Sequence, residues 1–268
     1  MINAVDKGLI PREQYGALLI DEGHDFKAEW LKLITQMIDK ENDSLLLLYD
    51  DAQAIYQDKG GIDFSLSSVG IQARGRTTIL KLNYRNTREI LNFSYRFALE
   101  FMREKEADED HIPLIAPEVA GNSGPEPDFI LCRSLEEEMD TISQRLFAWN
   151  KEGVPWHEMA VIFPANWLGK RLYEQLKQKN LPCLQQIDYR PNDECVALLT
   201  RHSSKGLEFS HVICMGIGTL KDTKEYVAKE SRLLYVGMTR AKEQLCITAH
   251  QSNQYTQRLY SVKVSQHN

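Results

Sequence analysis

YGALLID (residues 15–21) and SLLLLYDD (residues 44–51) are the two stretches on which the fold class turns. Each is a continuous apolar run of strand length, and each ends on carboxylates. Between them, AEWLKLITQMIDK places Trp30, Leu33, Ile34, Met37 and Ile38 at helical spacing. Strand, helix and strand, with the strands apolar throughout, is the pattern of a parallel sheet covered on both faces. Ligands of such sheets gather beyond the carboxyl ends of the strands. Asp21, Glu22, Asp50 and Asp51 are therefore predicted to meet at one edge.

The same alternation continues outward. TTILKLNYR (77–85) is predicted as a strand and REILNFSYRFALEFMREKEA (88–107) as a helix. Residues 107–127 hold four prolines, two glycines and many acids, which suits a linker or surface loop. Beyond them PDFILCR, MAVIFP, LPCLQQ, CVALLTR, HVICMGI and QLCITAH are strand-like. SLEEEMDTISQRLFAWNKEG, NWLGKRLYEQLKQKN and KESRLLYVGMTRAK are helical. Ser134 three residues before Glu137 suggests a capping box, and Gly153 a helix stop. The expectation is an α/β protein with one partial and one complete parallel-sheet domain. Residues 1–85 form the partial unit, 86–127 a connecting helix and acidic linker, 128–250 the complete domain and 251–268 a tail.

Bulk composition narrows the class without fixing it. The chain has 268 residues, 43% hydrophobic and 26% charged, which is ordinary for a globular protein. No apolar run approaches the ~20 residues of a membrane helix, and the start MINAVDKGLIPREQ lacks a secretory pattern, so a cytoplasmic location is expected. Five cysteines are scattered inside apolar runs, as buried reduced thiols would be. The net charge of −6 weighs mildly against nucleic acid, but acids crowd residues 104–110 and 136–140, leaving room for a basic groove elsewhere.

IDEGHDF (20–26) carries the first chemical signal. Paired carboxylates after a buried strand suit Mg²⁺ and the orientation of water in a nucleotide hydrolase; they equally suit a solvated helix start, where acids favour the dipole. Four further segments follow in order: YDDAQAIY (49–56), LKLNYRNTREIL (80–91), LLTRHSSKGLEFSHVI (198–213) and RLLYVGMTRAKEQLCIT (232–248). Together the five resemble motifs II to VI of UvrD/Rep-type superfamily 1 DNA helicases, from residue 15 to residue 248.

The resemblance implies RecA-like domains of the P-loop NTPase type, ATP and Mg²⁺ as cofactors, and single-stranded DNA as partner. It places Asp21 and Glu22 at the metal, with Glu22 also accepting the proton of attacking water. Gln53 would sense the γ-phosphate, Tyr84 stack on adenine, and Arg85 and Arg240 reach the phosphates. Glu208 would bond the ribose, with Gly206 beside it. Thr200, His202, Ser203 and Lys205 would grip DNA phosphates, and Tyr56 would stack on a base. All the nucleotide residues are expected to converge on one cleft.

Three departures stand out. His24 occupies the usual glutamine position of motif II. Asp58 and Lys59 follow Tyr56 where the family has an aromatic residue and arginine. About 115 residues separate Arg85 from Thr200, so the large 2B insertion is expected to be missing or vestigial.

The glycine-rich loop ending in Gly-Lys-Ser/Thr does not occur. Gly169-Lys170-Arg171 is the nearest match, with Pro164 at the first glycine and Arg171 at the hydroxyl. That loop precedes motif II in the family, so the expectation is a piece of a longer protein, a split gene, or a subunit completed by another chain. On its own it is expected to hydrolyse ATP little or not at all. Two other readings stand beside the motor: a non-hydrolysing DNA-binding or regulatory module on the same scaffold, and a Mg²⁺-dependent nuclease using Asp21, Glu22, Asp50 and Asp51.

Overall fold

The computed structural model describes residues 4, 7, 9–50, 64–78, 80, 82–101, 118–119, 121–190 and 193–265. They fall into two compact units, one within residues 1–80 and 104–115 and the other within 81–103 and 116–268.

In the first unit β1 (Ala17–Ile20) and β2 (Ser44–Leu47) pair in parallel, and α1 (Ala28–Thr35) crosses between them. Ile20, Leu31, Leu66, Val69 and Ile71 form its small core, with Leu45 and Leu47 packed against it. Leu19 and Leu46 stand opposite each other in the ladder and face out, exposed. The helix ends five residues earlier than its periodicity suggests. Residues beyond Thr35 are taken by backbone pairing instead: Tyr15 donates to Met37, and Asp39 donates to Tyr15.

The second unit carries a short ladder of β3 (Leu82–Asn83) with β4 (Glu118–Val119), then α2 (Arg88–Phe101). Among the described residues of the predicted strand 77–85, Leu82 and Asn83 join a ladder. The Asn83 side chain accepts from the backbone amides of Arg85 and Asn86, and that turns the chain out of the strand. The main sheet has six strands: β5 (Asp128–Leu131), β6 (Met159–Phe163), β7 (Cys183–Gln185), β8 (Val196–Thr200), β9 (Phe209–Cys214) and β10 (Ala241–Ala249). Their order is β5-β10-β9-β6-β8-β7, and every pair is parallel. The remaining helices are α3 (Leu135–Lys151), α4 (Asn166–Gln178), α5 (Val227–Met238) and α6 (Gln254–Val264).

Strand residues alternate strictly between two cores. Ala160, Ile162, Ala197, Leu199, Val212 and Cys214 point to one face, under α2, α5 and α6. Met159, Val161, Phe163, Val196, Leu198 and Ile213 point to the other, under α3 and α4. That two-sided burial is why the strands are apolar throughout. The class is α/β with parallel sheets and flanking helices, as the sequence indicates.

Ser134 does cap α3, accepting from Glu137 N–H at 3.2 Å. The return half of the expected capping box is diverted: Glu137 Oε2 accepts from Arg133 N–H instead. Gly153 closes the helix at φ +101°, as expected. All five cysteines are buried thiols.

Asp128 pins the edge strand through Lys263 of α6 at 3.0 Å and Arg145 of α3 at 2.7 Å. Burial by itself would raise its carboxyl, but those two cations outweigh burial and hold it below the usual range. A carboxyl lowered by folding stabilises above its unfolded pKa of about 4 and loses that contribution as the pH falls through the folded value. Asp128→Asn is therefore expected to lower the melting temperature at pH 7 and to narrow its gap from the unaltered chain as the pH drops below about 4. An equal gap at pH 7 and pH 2 would count against this pairing.

Candidate functional site

The acidic segment of the first unit begins where β1 ends. Asp21 is exposed, and its Oδ1 accepts from Glu22 N–H at 2.8 Å. Glu22 lies in the left-handed region, φ 52° and ψ 38°. That conformation costs a residue with a Cβ about 1–2 kcal/mol, and such strain concentrates at functional positions.

His24 is buried, and its Nδ1 accepts from Asp50 N–H at 3.0 Å. In the neutral ring Nε2 then carries the proton, and it faces Glu22 Oε2 at 3.0 Å and Asp25 Oδ1 at 3.6 Å. Ligand atoms of Glu22, His24 and Asp25 lie within 4.8 Å of one another. A metal on Nε2 would require that nitrogen to lose its proton while Nδ1 still accepts from Asp50, which disfavours the ring as a ligand. The exposed Asp21 carboxylate suits a hard cation better. Gln53, Tyr56 and Asp51 lie outside the described residues.

In the second unit two groups of predicted residues sit at opposite ends of the sheet. At the amino ends of β9 and β10, Arg85 Nε meets Glu208 Oε1 at 2.6 Å. Asn86 fixes the segment that brings Arg85 there, its Nδ2 donating to Thr239 O at 2.9 Å and Ala241 O at 2.6 Å. Thr87 N–H adds a bond to Lys242 O. Tyr84, next to Arg85, is 71% exposed and leaves its ring open to solvent. Gly206 holds φ +77°, a conformation that favours glycine, two residues before Glu208.

Arg240 is placed in the same region, but beyond the helix expected to carry it. The helix α5 ends at Met238 and β10 starts at Ala241, so Arg240 occupies the junction. It is 2% exposed; its Nε donates to Val236 O at 3.1 Å and a terminal nitrogen to Leu207 O at 3.4 Å.

At the carboxyl end of β8 the chain folds into a hydroxyl-rich turn. Thr200 Oγ1 lies 2.9 Å from Ser203 Oγ and accepts from Ser203 N–H at 3.2 Å. Burial, and then the charges of Arg201 and Lys229, push the His202 ring below its usual range, so it is neutral at pH 7. Lys205 completes the turn, its amide donating to His202 O. Strand β9 has six residues, so roughly 20 Å of sheet separates this end from the Arg85–Glu208 end.

Two positions that tie these groups together escaped the motif reading. Arg201 is buried and meets Glu230 of α5 at 2.5 Å. The segment 201–208 is thus bound to α5 at its start through Arg201 and Glu230, and near its end to the junction just past that helix through Leu207 O and Arg240. A charged residue directly after the apolar run VALLT was the available signal. The second is Glu138, fully buried on α3. It accepts from Gly216 N–H at 2.7 Å, the Thr248 hydroxyl at 2.7 Å and His250 Nδ1 at 2.5 Å. Glu136 and Glu137 before it and Asp140 after it hid that role in a run that reads as solvated.

A six-stranded parallel sheet with helices on both faces fits a RecA-like domain, and comparison with known proteins gives its family. The UvrD-like helicase C-terminal domain model matches residues 78–190 and 184–252. The chain belongs to that family.

Among curated relatives, ATP-dependent DNA helicase Rep of Buchnera aphidicola subsp. Schizaphis graminum is 38% identical over 36% of this chain and 18% of its own length. ATP-dependent DNA helicase PcrA of Staphylococcus aureus is 30% identical over 66% of this chain and 24% of its own. The matched region thus spans about a fifth to a quarter of those relatives. Among solved structures, the C-terminal domain of a possible DNA helicase from Lactobacillus plantarum WCFS1 superposes with a TM-score of 0.51 at 18% identity. That match covers 67% of this chain and 96% of the other, and it bears on the fold alone. No helix among the described residues is long and apolar enough to cross a membrane.

Proposed function

We propose that this chain is part of an ATP-dependent motor that moves along single-stranded DNA, supplying the second RecA-like lobe and a portion of the first. The observation that carries this reading is the Arg85–Glu208 pair beside Arg240, which gathers three predicted nucleotide residues from distant segments at one end of one sheet. A guanidinium there suits phosphate oxygens, a carboxylate suits ribose hydroxyls, and the exposed Tyr84 ring suits a purine face. Bound ATP would supply the phosphoryl group and Mg²⁺ its charge neutralisation. Asp21 would hold the metal with Glu22 beside it, and Glu22, braced by His24, would take the proton of the attacking water. Gln53 belongs to the same set. Thr200, His202, Ser203, Lys205 and Tyr56 would hold the strand.

The cation Arg240 holds Val236 O through Nε and Leu207 O through one terminal nitrogen, so a phosphate engaging the rest of its guanidinium fork would bear on both of those bonds. Nucleotide binding would then pull on the end of the segment 201–208 that leads to the hydroxyl turn. This links the nucleotide end to the DNA end within one lobe.

No Gly-Lys-Ser/Thr loop occurs in the sequence, so triphosphate lacks its amide cradle and lysine here. The chain alone is expected to leave ATP hydrolysis at background with or without single-stranded DNA. Joined to a segment supplying that loop, it is expected to hydrolyse ATP with DNA stimulation, and Arg85→Ala should then lower turnover about a hundredfold or more. Steady DNA-stimulated turnover by the isolated chain would refute the first expectation. An unaltered rate in Arg85→Ala would refute the second.

The missing loop also favours a second reading, a DNA-binding or regulatory module that performs no hydrolysis. Strand binding without turnover, even when the loop is supplied, would select it.

A further inference from the structure

At the same end of the main sheet as the hydroxyl turn, the second unit carries an exposed aromatic side chain that no motif accounts for. The helix α4 starts three residues after β6 ends at Phe163. Phe163 is the ladder partner of Thr200, and its carbonyl accepts from Arg201 N–H at 3.3 Å. A Cβ on Gly169 would stand 2.2 Å from Phe163 Cζ, so the first turn of α4 lies directly against that phenyl ring. Trp167 sits in this turn. The first turn of α4, which carries Trp167, and the turn that carries Thr200, His202 and Ser203 therefore follow neighbouring strands at the same end of the sheet. Gln186, after β7, accepts from Thr200 Oγ1 at 3.3 Å and closes the other side.

Exposure alone says little, since single exposed apolar side chains are normal. Trp167 is 50% exposed and Trp30 is 51% exposed. Their surroundings differ. Lys27 lies over the Trp30 ring at 5.6 Å, and Phe26 packs edge-on at 6.4 Å. Among the described residues no ring or cation stacks on Trp167. Its neighbourhood favours an anionic chain: Lys170 is exposed on the same helix, and Lys205 closes the turn. The amino end of α4 has no side-chain cap, so its dipole adds positive potential. An aromatic face next to hydroxyls, amide donors and ammonium groups is how proteins hold single-stranded nucleic acid, bases on the ring and phosphates on the donors.

We propose that Trp167 is a base-stacking platform for the single strand whose phosphates lie on the Thr200–Ser203 turn. This rests on the strand-binding reading above and adds to it a contact with bases in this lobe. Stacking on such a ring contributes about 1–3 kcal/mol per base, or roughly 5- to 150-fold in affinity.

The test uses the whole chain, an oligo(dT) strand, and a strand of equal length made of abasic sugars. The unaltered chain is expected to bind oligo(dT) more tightly than the abasic strand. Trp167→Ala should bring oligo(dT) down about tenfold or more and leave the abasic strand as it was. Trp167→Phe should keep most of the difference, and Trp30→Ala all of it. A Trp167→Ala variant with the original ratio of oligo(dT) to abasic affinity would overturn the stacking role while leaving strand binding intact. Failure of the unaltered chain to bind oligo(dT) would overturn strand binding and the platform with it.

Discussion

Glu230→Gln is expected to cost about 3–5 kcal/mol and, in a lobe of this size, about 10–15 °C of melting temperature. The reason is what the change leaves behind. Arg201 is 6% exposed, and the carboxylate that compensates it is Glu230, 2.5 Å away. Burial works to lower the pKa of this guanidinium and Glu230 works against that, so without the carboxylate an unpaired cation stays inside the protein. Removing one member of a buried pair is far more damaging than removing both. The double variant Arg201→Met, Glu230→Leu should accordingly melt within a few degrees of the unaltered chain. Thermal unfolding followed by circular dichroism separates the cases. A single variant as stable as the original would show that the pair is solvated and carries no such weight.

Glu138→Leu is the second change with a large expected effect, about 4 kcal/mol. It leaves three donors at the carboxyl ends of β9 and β10 without an acceptor: Gly216 N–H, the Thr248 hydroxyl and the His250 ring. An orphaned buried donor costs about 1–3 kcal/mol, and part of that returns when His250, near the surface, turns to water. Glu138→Gln keeps one good acceptor but aims an amide N–H₂ at a donor, so about half the loss is expected. Urea unfolding with an unchanged slope would report this as stability alone. A leucine variant within about 1 kcal/mol of the original would mean that water already serves these donors.

Much of the architecture was legible from residues. Apolar runs of strand length marked nearly every strand of the main sheet, because burial on both faces leaves no room for polar alternation. Where the reading fell short, tertiary contacts were responsible. Residues 36–39 keep helical periodicity yet pair with the start of the first strand, since backbone bonds to Tyr15 were available. Residues 251–268, expected to be a tail, contain α6, whose Tyr255, Leu259 and Val262 enter the core. Its signal was present: Asn253 and Thr256 form a reciprocal cap at the start of that apolar spacing.

The candidate site residues were chosen by type and position within motifs, and the structure brings two of them, Arg85 and Glu208, into contact. What no motif conveys is occupancy. Arg240 was visible as a cation, but its bonds to Val236 O and Leu207 O depend on how α5 ends. Likewise His24 stood out as a substitution, while its acceptance of the Asp50 amide depends on where β2 finishes.

The six parallel strands also set how this lobe can respond mechanically. Hydrogen-bonded rows filled on both sides have low compliance, and interiors of such density transmit displacement instead of absorbing it. A push delivered where Arg85 meets Glu208 is therefore expected to be passed on toward the threonine corner more than absorbed on the way. The lobe has little spring of its own, so a displacement across it is carried as movement of the whole and not as elastic stretch within.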